Sequence, residues 1–164
     1  MELLSGSGAI WREDPYVRRA VMEAGWHEGR QFDTTTWTAK LSRAGFEIND
    51  LAQRLWLDLG GLTINGLPDR TDSSSLLIDP VDACIDAIEE TRSLSQFIGE
   101  NCSPLGMWSV QFRTYCSESG YIFAVWPRTI WDLGRTIPTA FEYVVLGGDR
   151  QGRERAAPFI GPFF

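Results

Sequence analysis

The feature that most constrains this chain is the stretch from Asn49 to Ile64, which reads as a helix, a glycine stop and a strand in sixteen residues. Leu51, Leu55 and Leu59 recur four apart, with Ala52 and Trp56 beside them, so one helical face is apolar. Asn49 or Asp50 can cap the start, because a short side-chain oxygen accepts from a free amide of the first turn. Gly60 and Gly61 then end the helix, and Leu62, Thr63 and Ile64 follow as a short strand. No room is left for a long loop, so this helix is expected to lie against the sheet that its own strand joins.

At 164 residues the chain fits one domain with a real core, and its 43% hydrophobic content agrees. Seven Trp and nine Phe make that core, or a contact surface, unusually aromatic. The net charge of −7 argues against nucleic acid or an anionic membrane as partner, since both require a basic footprint. An acidic chain can still be steered towards a basic protein, although solubility alone also accounts for such a charge. Met1 to Ile10 has no basic start followed by an apolar core, so no secretory signal is expected, and no apolar run is long enough to span a bilayer. Cys84, Cys102 and Cys116 are odd in number and widely spaced, which suits a reduced cytoplasmic chain.

In chain order, residues 1–12 read as a flexible lead containing Ser5, Gly6, Ser7 and Gly8. Asp14–Pro15 opens a first helix with Val17, Val21 and Ala24 on its apolar stripe, and Gly25 stops it. A second helix starts near Asp33 or Thr34, carries Trp37, Leu41 and Ala44 inward, and ends at Gly45. Beyond the Asn49–Ile64 unit, Asn65 to Asp72 is a turn-rich loop and Ser74 to Ile78 a strand. Asp79–Pro80 opens a fourth helix that is expected to run to about Phe97. Pro104 to Gly106 reads as a break. The alternation of Trp108, Val110 and Phe112 with polar residues then predicts one strand through Arg113. Ser117 to Gly120 is a turn, Tyr121 to Trp126 the returning strand of a hairpin, and Ile130 to Leu133 a further short strand. A last helix begins near Thr136, with Pro138 in its first turn, and buries Phe141, Val144 and Val145, and Gly147 and Gly148 close it. The expected organisation is a domain over 13–148 followed by a tail over 149–164, whose Phe159, Ile160, Phe163 and Phe164 are unusually apolar for a free end.

A reaction centre is not legible. The single histidine, His27, has no Gly-x-Ser-x-Gly elbow to serve, and the cysteines lack the paired short spacing of a zinc site. Lys40 is the only lysine, and no phosphate-binding Gly-Lys-Ser/Thr loop occurs. Glu89 with Glu90, or Asp69 with Asp72, are the available paired carboxylates, and a solvated helix face and a solvated loop account for them without chemistry. Trp126, Trp131 and the tail phenylalanines, by contrast, sit at strand ends, where protein-binding surfaces place aromatic anchors.

One ordered set of pieces resembles a known family. Ala24–Gly25–Trp26 is followed by Gly29–Arg30 and Asp33, then by a helix with Trp37 and Leu41, then by Gly45–Phe46 and Leu59–Gly60–Gly61–Leu62. Asp79–Pro80, Pro104–Leu105–Gly106 and Leu133–Gly134 are compatible later pieces. The set resembles the SUKH-3 group of the SUKH (Smi1/Knr4-like) superfamily over roughly Pro15 to Gly148. The resemblance implies a single α+β domain with a mixed, mainly antiparallel sheet packed by about five helices. It also implies a non-enzymatic immunity protein that binds and neutralises a cognate polymorphic toxin, often a nuclease, with no catalytic residues, cofactor or metal. Gly25, Trp26, Arg30, Gly60 and Gly61 are then structural: helix stops, a packing ring and a carboxylate partner.

The partner expected on this reading is a basic protein toxin, not nucleic acid or a membrane, met in the cytoplasm by a monomer or weak dimer. Asp69, Asp72, Glu118 and Trp131 are the candidate contact residues. The alternative reading is a Smi1/Knr4-like scaffold or regulatory module that binds a housekeeping protein.

Overall fold

The computed structural model describes residues 14–68, 74–126, 129–147 and 156–158. The lead over 1–12, Asp69, Asp72 and the tail apart from its Ala156–Pro158 segment lie outside the described residues.

Helix α1 (Pro15–Glu23) starts where expected, with the Asp14 carboxylate accepting from the amides of Tyr16 and Val17. Helix α2 (Thr35–Arg43) buries Leu41. Helix α3 (Asp50–Leu59) is capped by Asn49, whose side-chain oxygen accepts from Ala52 N at 2.8 Å. It buries Ala52, Leu55, Trp56 and Leu59. Gly61 has the left-handed φ of +77° expected of a helix stop, whereas Gly60 does not. Gly60 is demanded by space instead: a Cβ there would stand 2.5 Å from Phe32 Cδ1 and from the Trp56 carbonyl oxygen.

Arg30 fixes the same helix end. Its guanidinium donates to the carbonyls of Asp58 (2.5 Å) and Gly60 (2.6 Å), groups that no helical amide reaches. The sequence suggested a carboxylate partner. The Asp58 charge does act on Arg30, but these two hydrogen bonds go to main chain.

The strands are β1 (Thr63–Asn65), β2 (Ser75–Leu77), β3 (Cys102–Trp108), β4 (Phe112–Ser117), β5 (Ile122–Trp126), β6 (Thr129–Gly134) and β7 (Ala156–Pro158). They form one seven-stranded sheet in chain order, and every neighbouring pair is antiparallel. The α+β class and the antiparallel preference therefore hold, with no parallel pair among the described strands. Between β2 and β3 lie α4 (Pro80–Cys84) and α5 (Ile88–Ile98), and α6 (Ile137–Leu146) follows β6.

The sheet is buried on both faces. Ile122, Ala124 and Cys116 belong to the larger core, which joins α1, α2, α3 and α6. Their strand neighbours Phe123, Val125 and Tyr115 belong to a second core that includes Cys84 and Leu94 of α4 and α5.

Four expectations need correction. The single helix from Asp79 is two, α4 ending at Cys84 and α5 starting at Ile88, with Val81, Ile85 and Ile88 packed on the larger core and Ala83, Cys84 and Ala87 on the second. Pro104–Gly106 is not a break but lies inside β3, at a register shift where Gly106 meets the Leu77 carbonyl too closely for a Cβ. The alternation of Trp108, Val110 and Phe112 is not one strand. Ser109 and Val110 (φ +51° and +68°) turn the chain, and Trp108 pairs across it with Phe112. Finally, the tail contributes a strand, since the backbone of Ala156–Pro158 pairs with Thr129–Trp131.

Glu90 likewise departs from the solvated reading, at 11% side-chain exposure. Arg113 grips it through two bonds of 2.6 and 2.8 Å, and the buried Tyr115 hydroxyl donates to it at 2.9 Å. Burial pushes the Tyr115 pKa well up, so the hydroxyl stays a donor at neutral pH. This network ties α5 to β4.

Removing the Arg30 fork should be felt across the fold. Arg30→Ala is expected to lower unfolding free energy by about 2 kcal/mol, the scale of hydrogen bonds made by a charged donor. Arg30→Lys should recover only part, because an ammonium cannot fork onto two carbonyls. Urea unfolding followed by tryptophan fluorescence measures both, and an unchanged midpoint for Arg30→Ala would refute the clamp.

Candidate binding surfaces

An antiparallel meander returns the chain alternately to two ends of its sheet, and the two ends carry different chemistry. One end holds the start of α3, the end of α5 and the β4–β5 turn. Two hollows of about 590 and 610 Å³ meet here and share Glu47 and Asn101 in their walls. The first runs along α5 past Thr91, Ser95 and Glu100, and the second along Asp50, Arg54 and Glu118. Glu47, Asp50, Glu100 and Glu118 thus line two adjoining hollows, with Arg54 and Arg92 as their cations, and Arg92 is already bridged to Glu89 at 3.0 Å.

These carboxylates are positioned rather than merely exposed. Glu118 accepts from Asn101 N at 3.2 Å. Glu100 accepts from the Ser119 hydroxyl at 2.6 Å, and Ser119 meets Ser117 at 3.2 Å. Hydrogen bonding from Ser117, then from Ser119, holds the Glu100 carboxyl below its ordinary value of 4.5, so it stays ionised. Beneath them, Asn101 donates to the Glu47 carbonyl and accepts from the Asn49 amide. The Asn49 side chain also donates to Cys116 O at 2.9 Å, and its main-chain N–H donates to Ser103 Oγ at 2.8 Å.

The other end holds the β3–β4 turn and the described flanks of the β5–β6 and β1–β2 connections, with Asn65 paired to Ser75. It is aromatic. Trp126 stands edge-on to Phe112 at 5.1 Å, Phe112 lies 5.2 Å from Trp108, and Trp108 lies 5.8 Å from Trp131 and 6.0 Å from Tyr143. The ridge begins at the surface, where Trp126 is 48% and Val110 82% exposed.

The candidate residues read from sequence therefore separate. Glu118 lies on the acidic rim. Trp131 lies in the aromatic ridge at the far end, half-buried, with its indole N–H donated to Tyr143 OH at 3.2 Å. Trp126 is the exposed ring of that ridge. Gly25, Gly60 and Gly61 are at helix ends, Trp26 lies in the core, and Arg30 binds the end of α3. Sequence reasoning missed Glu47, Glu100 and Asn101 as a group. Their proximity follows from β4 returning Glu118 beside the start of β3, which no local spacing encodes.

Among the described residues there is no His, Cys, Asp and Glu cluster able to hold a metal ion. The three cysteines are buried free thiols whose pKa burial pushes up to about 12, so none is a nucleophile at neutral pH. No helix among the described residues is long and apolar enough to cross a membrane.

An α+β domain with a preorganised polar rim and an aromatic ridge is the anatomy of a protein that binds. The family model described as SUKH-3 immunity protein matches residues 13–147, and the chain belongs to that family of immunity proteins. Searches of curated proteins and of solved structures found no match.

The depressed Glu100 pKa makes a pH prediction with a definite sign. A carboxyl whose folded value is lowered contributes stability above its unfolded value and loses it as pH falls through the folded one. Glu100→Gln should therefore be less stable than the parent at pH 7, and the two unfolding midpoints should converge below about pH 4. Midpoints that stay equally separated from pH 7 to pH 3 would show that ionised Glu100 has no such role.

Proposed function

We propose that this chain neutralises a cognate bacterial polymorphic toxin by stoichiometric binding, that the toxin is a basic nuclease, and that the acidic rim is where it docks. The observation that carries this reading is the set of four carboxylates, Glu47, Asp50, Glu100 and Glu118, lining two adjoining hollows in a chain of net charge −7. A nuclease must be basic where it meets nucleic acid, and an acidic surface can occupy that site. The long-range field speeds the encounter, and the fixed hydrogen bonds to Glu100 and Glu118 mean that little side-chain freedom is lost on docking. Glu118 stays a contact residue on this reading, and Asp69, Asp72 and Trp131 are secondary ones. The encounter takes place in the cytoplasm of the producing cell, and the immunity protein acts as a monomer or weak dimer without catalytic turnover.

The test is association kinetics with the toxin domain encoded beside its gene. The charge reversal Glu100→Lys with Glu118→Lys should slow association at least tenfold at low salt and change dissociation much less. Raising salt should slow the parent strongly and the variant weakly, because exposed charges are screened beyond about 8 Å at physiological ionic strength. Association that ignores both salt and charge reversal would move the docking site elsewhere.

A further inference from the structure

The aromatic end of the sheet has an exposed apolar cap, and the register of β7 delivers a matching segment to it. Ala156 pairs with Trp131, Ala157 with Ile130 and Pro158 with Thr129, so β7 runs towards the β5–β6 connection and Pro158 lies beside the first residue of β6. Thr129 is itself the cross-strand partner of Trp126. The residues that follow are Phe159, Ile160, Gly161, Pro162, Phe163 and Phe164, with four large apolar side chains and no charge. Across the sheet end stand Trp126, 48% exposed, with Phe112 against its ring, and Val110, 82% exposed, in the β3–β4 turn.

We propose that Phe159–Phe164 is the occupant of this cap, so that the chain's own apolar segment docks on Trp126, Phe112 and Val110. The distances allow it. Neighbouring strands lie about 4.8 Å apart, which puts the β3–β4 turn roughly 15 Å from β7. Six residues extend to about 20 Å. The chemistry favours it as well. An uncharged run of this kind gains by leaving water, and a half-exposed indole backed by a fixed ring offers the flat apolar seat it needs. The β3–β4 turn adds a further reason: Val110 is a β-branched residue held at φ +68°, a conformation such residues rarely adopt, and this backbone presents its side chain outward. The inference is independent of the acidic rim and of the toxin's identity.

The experiment uses the full chain labelled with 5-fluorotryptophan, with the Trp126 signal assigned through Trp126→Phe. Broadening of each fluorine line by a neutral gadolinium chelate reports solvent access. In the parent, Trp126 should broaden little. In the triple variant Phe159→Ser, Phe163→Ser, Phe164→Ser, its broadening should rise at least threefold while the core Trp56 line stays put, showing that the domain is still folded. Equal broadening of Trp126 in parent and variant would overturn the proposal. So would protection of Trp126 that appears only as protein concentration rises with a doubling of mass, since the occupant would then be a second copy. As a geometric check, Val110→Cys with Phe163→Cys should form an intramolecular disulfide under mild oxidation, the three native thiols being buried. Failure of that pair to cross-link would count against docking at the turn.

Discussion

The buried side-chain amide of Asn49 is the interaction on which the rest of the arrangement depends. It sits where three things meet: the first turn of α3, the start of β3 and the end of β4. Its oxygen caps α3 at Ala52, its nitrogen reaches Cys116 O and Asn101, and its own main-chain N–H is taken by Ser103. These bonds also solve an edge problem. Of β3, only Met107 and Trp108 pair with β2, so the earlier part of that strand has no strand neighbour on one side. Groups from α3 and the residue before it come to that edge: the Trp56 indole N–H donates to the Pro104 carbonyl, and the Asn49 main-chain N–H donates to Ser103 Oγ. A buried polar network of this kind is worth more when complete than its separate bonds suggest, and is costly when one member is lost. With Arg30 closing the other end of α3, the helix is fixed at both termini, and the positive guanidinium stands where the helix dipole is negative.

The connectivity then decides how the surface is divided. Because each strand pairs with the next, every odd connection returns to one end of the sheet and every even one to the other. Turn residues from distant parts of the chain gather at each end without a crossover. The β4–β5 turn brings Glu118 and Ser119 to the Asn49–Asn101 hub, and the β3–β4 and β5–β6 turns bring Phe112 and Trp126 together. Charge and aromatic area are thereby separated by the length of β3, roughly 20 Å.

What was legible in the sequence follows the same physics. Helix starts were read well because their signals are local: Asp14, Asn49, Asp79 and Thr136 all cap as their residue type demands. The fold class and the family pieces were legible too, since Gly25, Trp26, Arg30 and the Gly60–Gly61 pair mark ends and packing points of the first three helices. Strand boundaries near the first hairpin were not. Trp108 and Phe112 lie four residues apart and share a face whether they are on one strand or opposite each other across a turn, so periodicity cannot tell the two apart. A Ser–Val pair in left-handed conformation gives no warning of the turn either, because the usual sign is Asn–Gly. The break between α4 and α5 was invisible for a different reason. Neither Gly nor Pro stands between Cys84 and Ile88 to announce it. Of the site, Glu118 was found as a turn carboxylate, but its companions Glu47, Glu100 and Asn101 are joined to it only by strand pairing.

The separation of charge from aromatic area bears on how such a protein can be both fast and selective. An acidic rim acts at a distance, and its effect is mostly on the rate of encounter. It discriminates poorly, since any basic surface feels the same field. Selectivity must come from fixed geometry at contact, and here the acidic end has what a loose cluster lacks. Glu100 is held by Ser119, and Glu118 by the main-chain amide of Asn101, whose side chain is tied to Asn49. A partner whose cations match those fixed oxygens meets them with little further ordering. One whose cations do not match must either leave the oxygens unpaired or break the serine and asparagine bonds that hold them. The hub that secures α3 to the sheet therefore also sets the pattern of charge offered to a partner, and a change at Asn49 would alter both together.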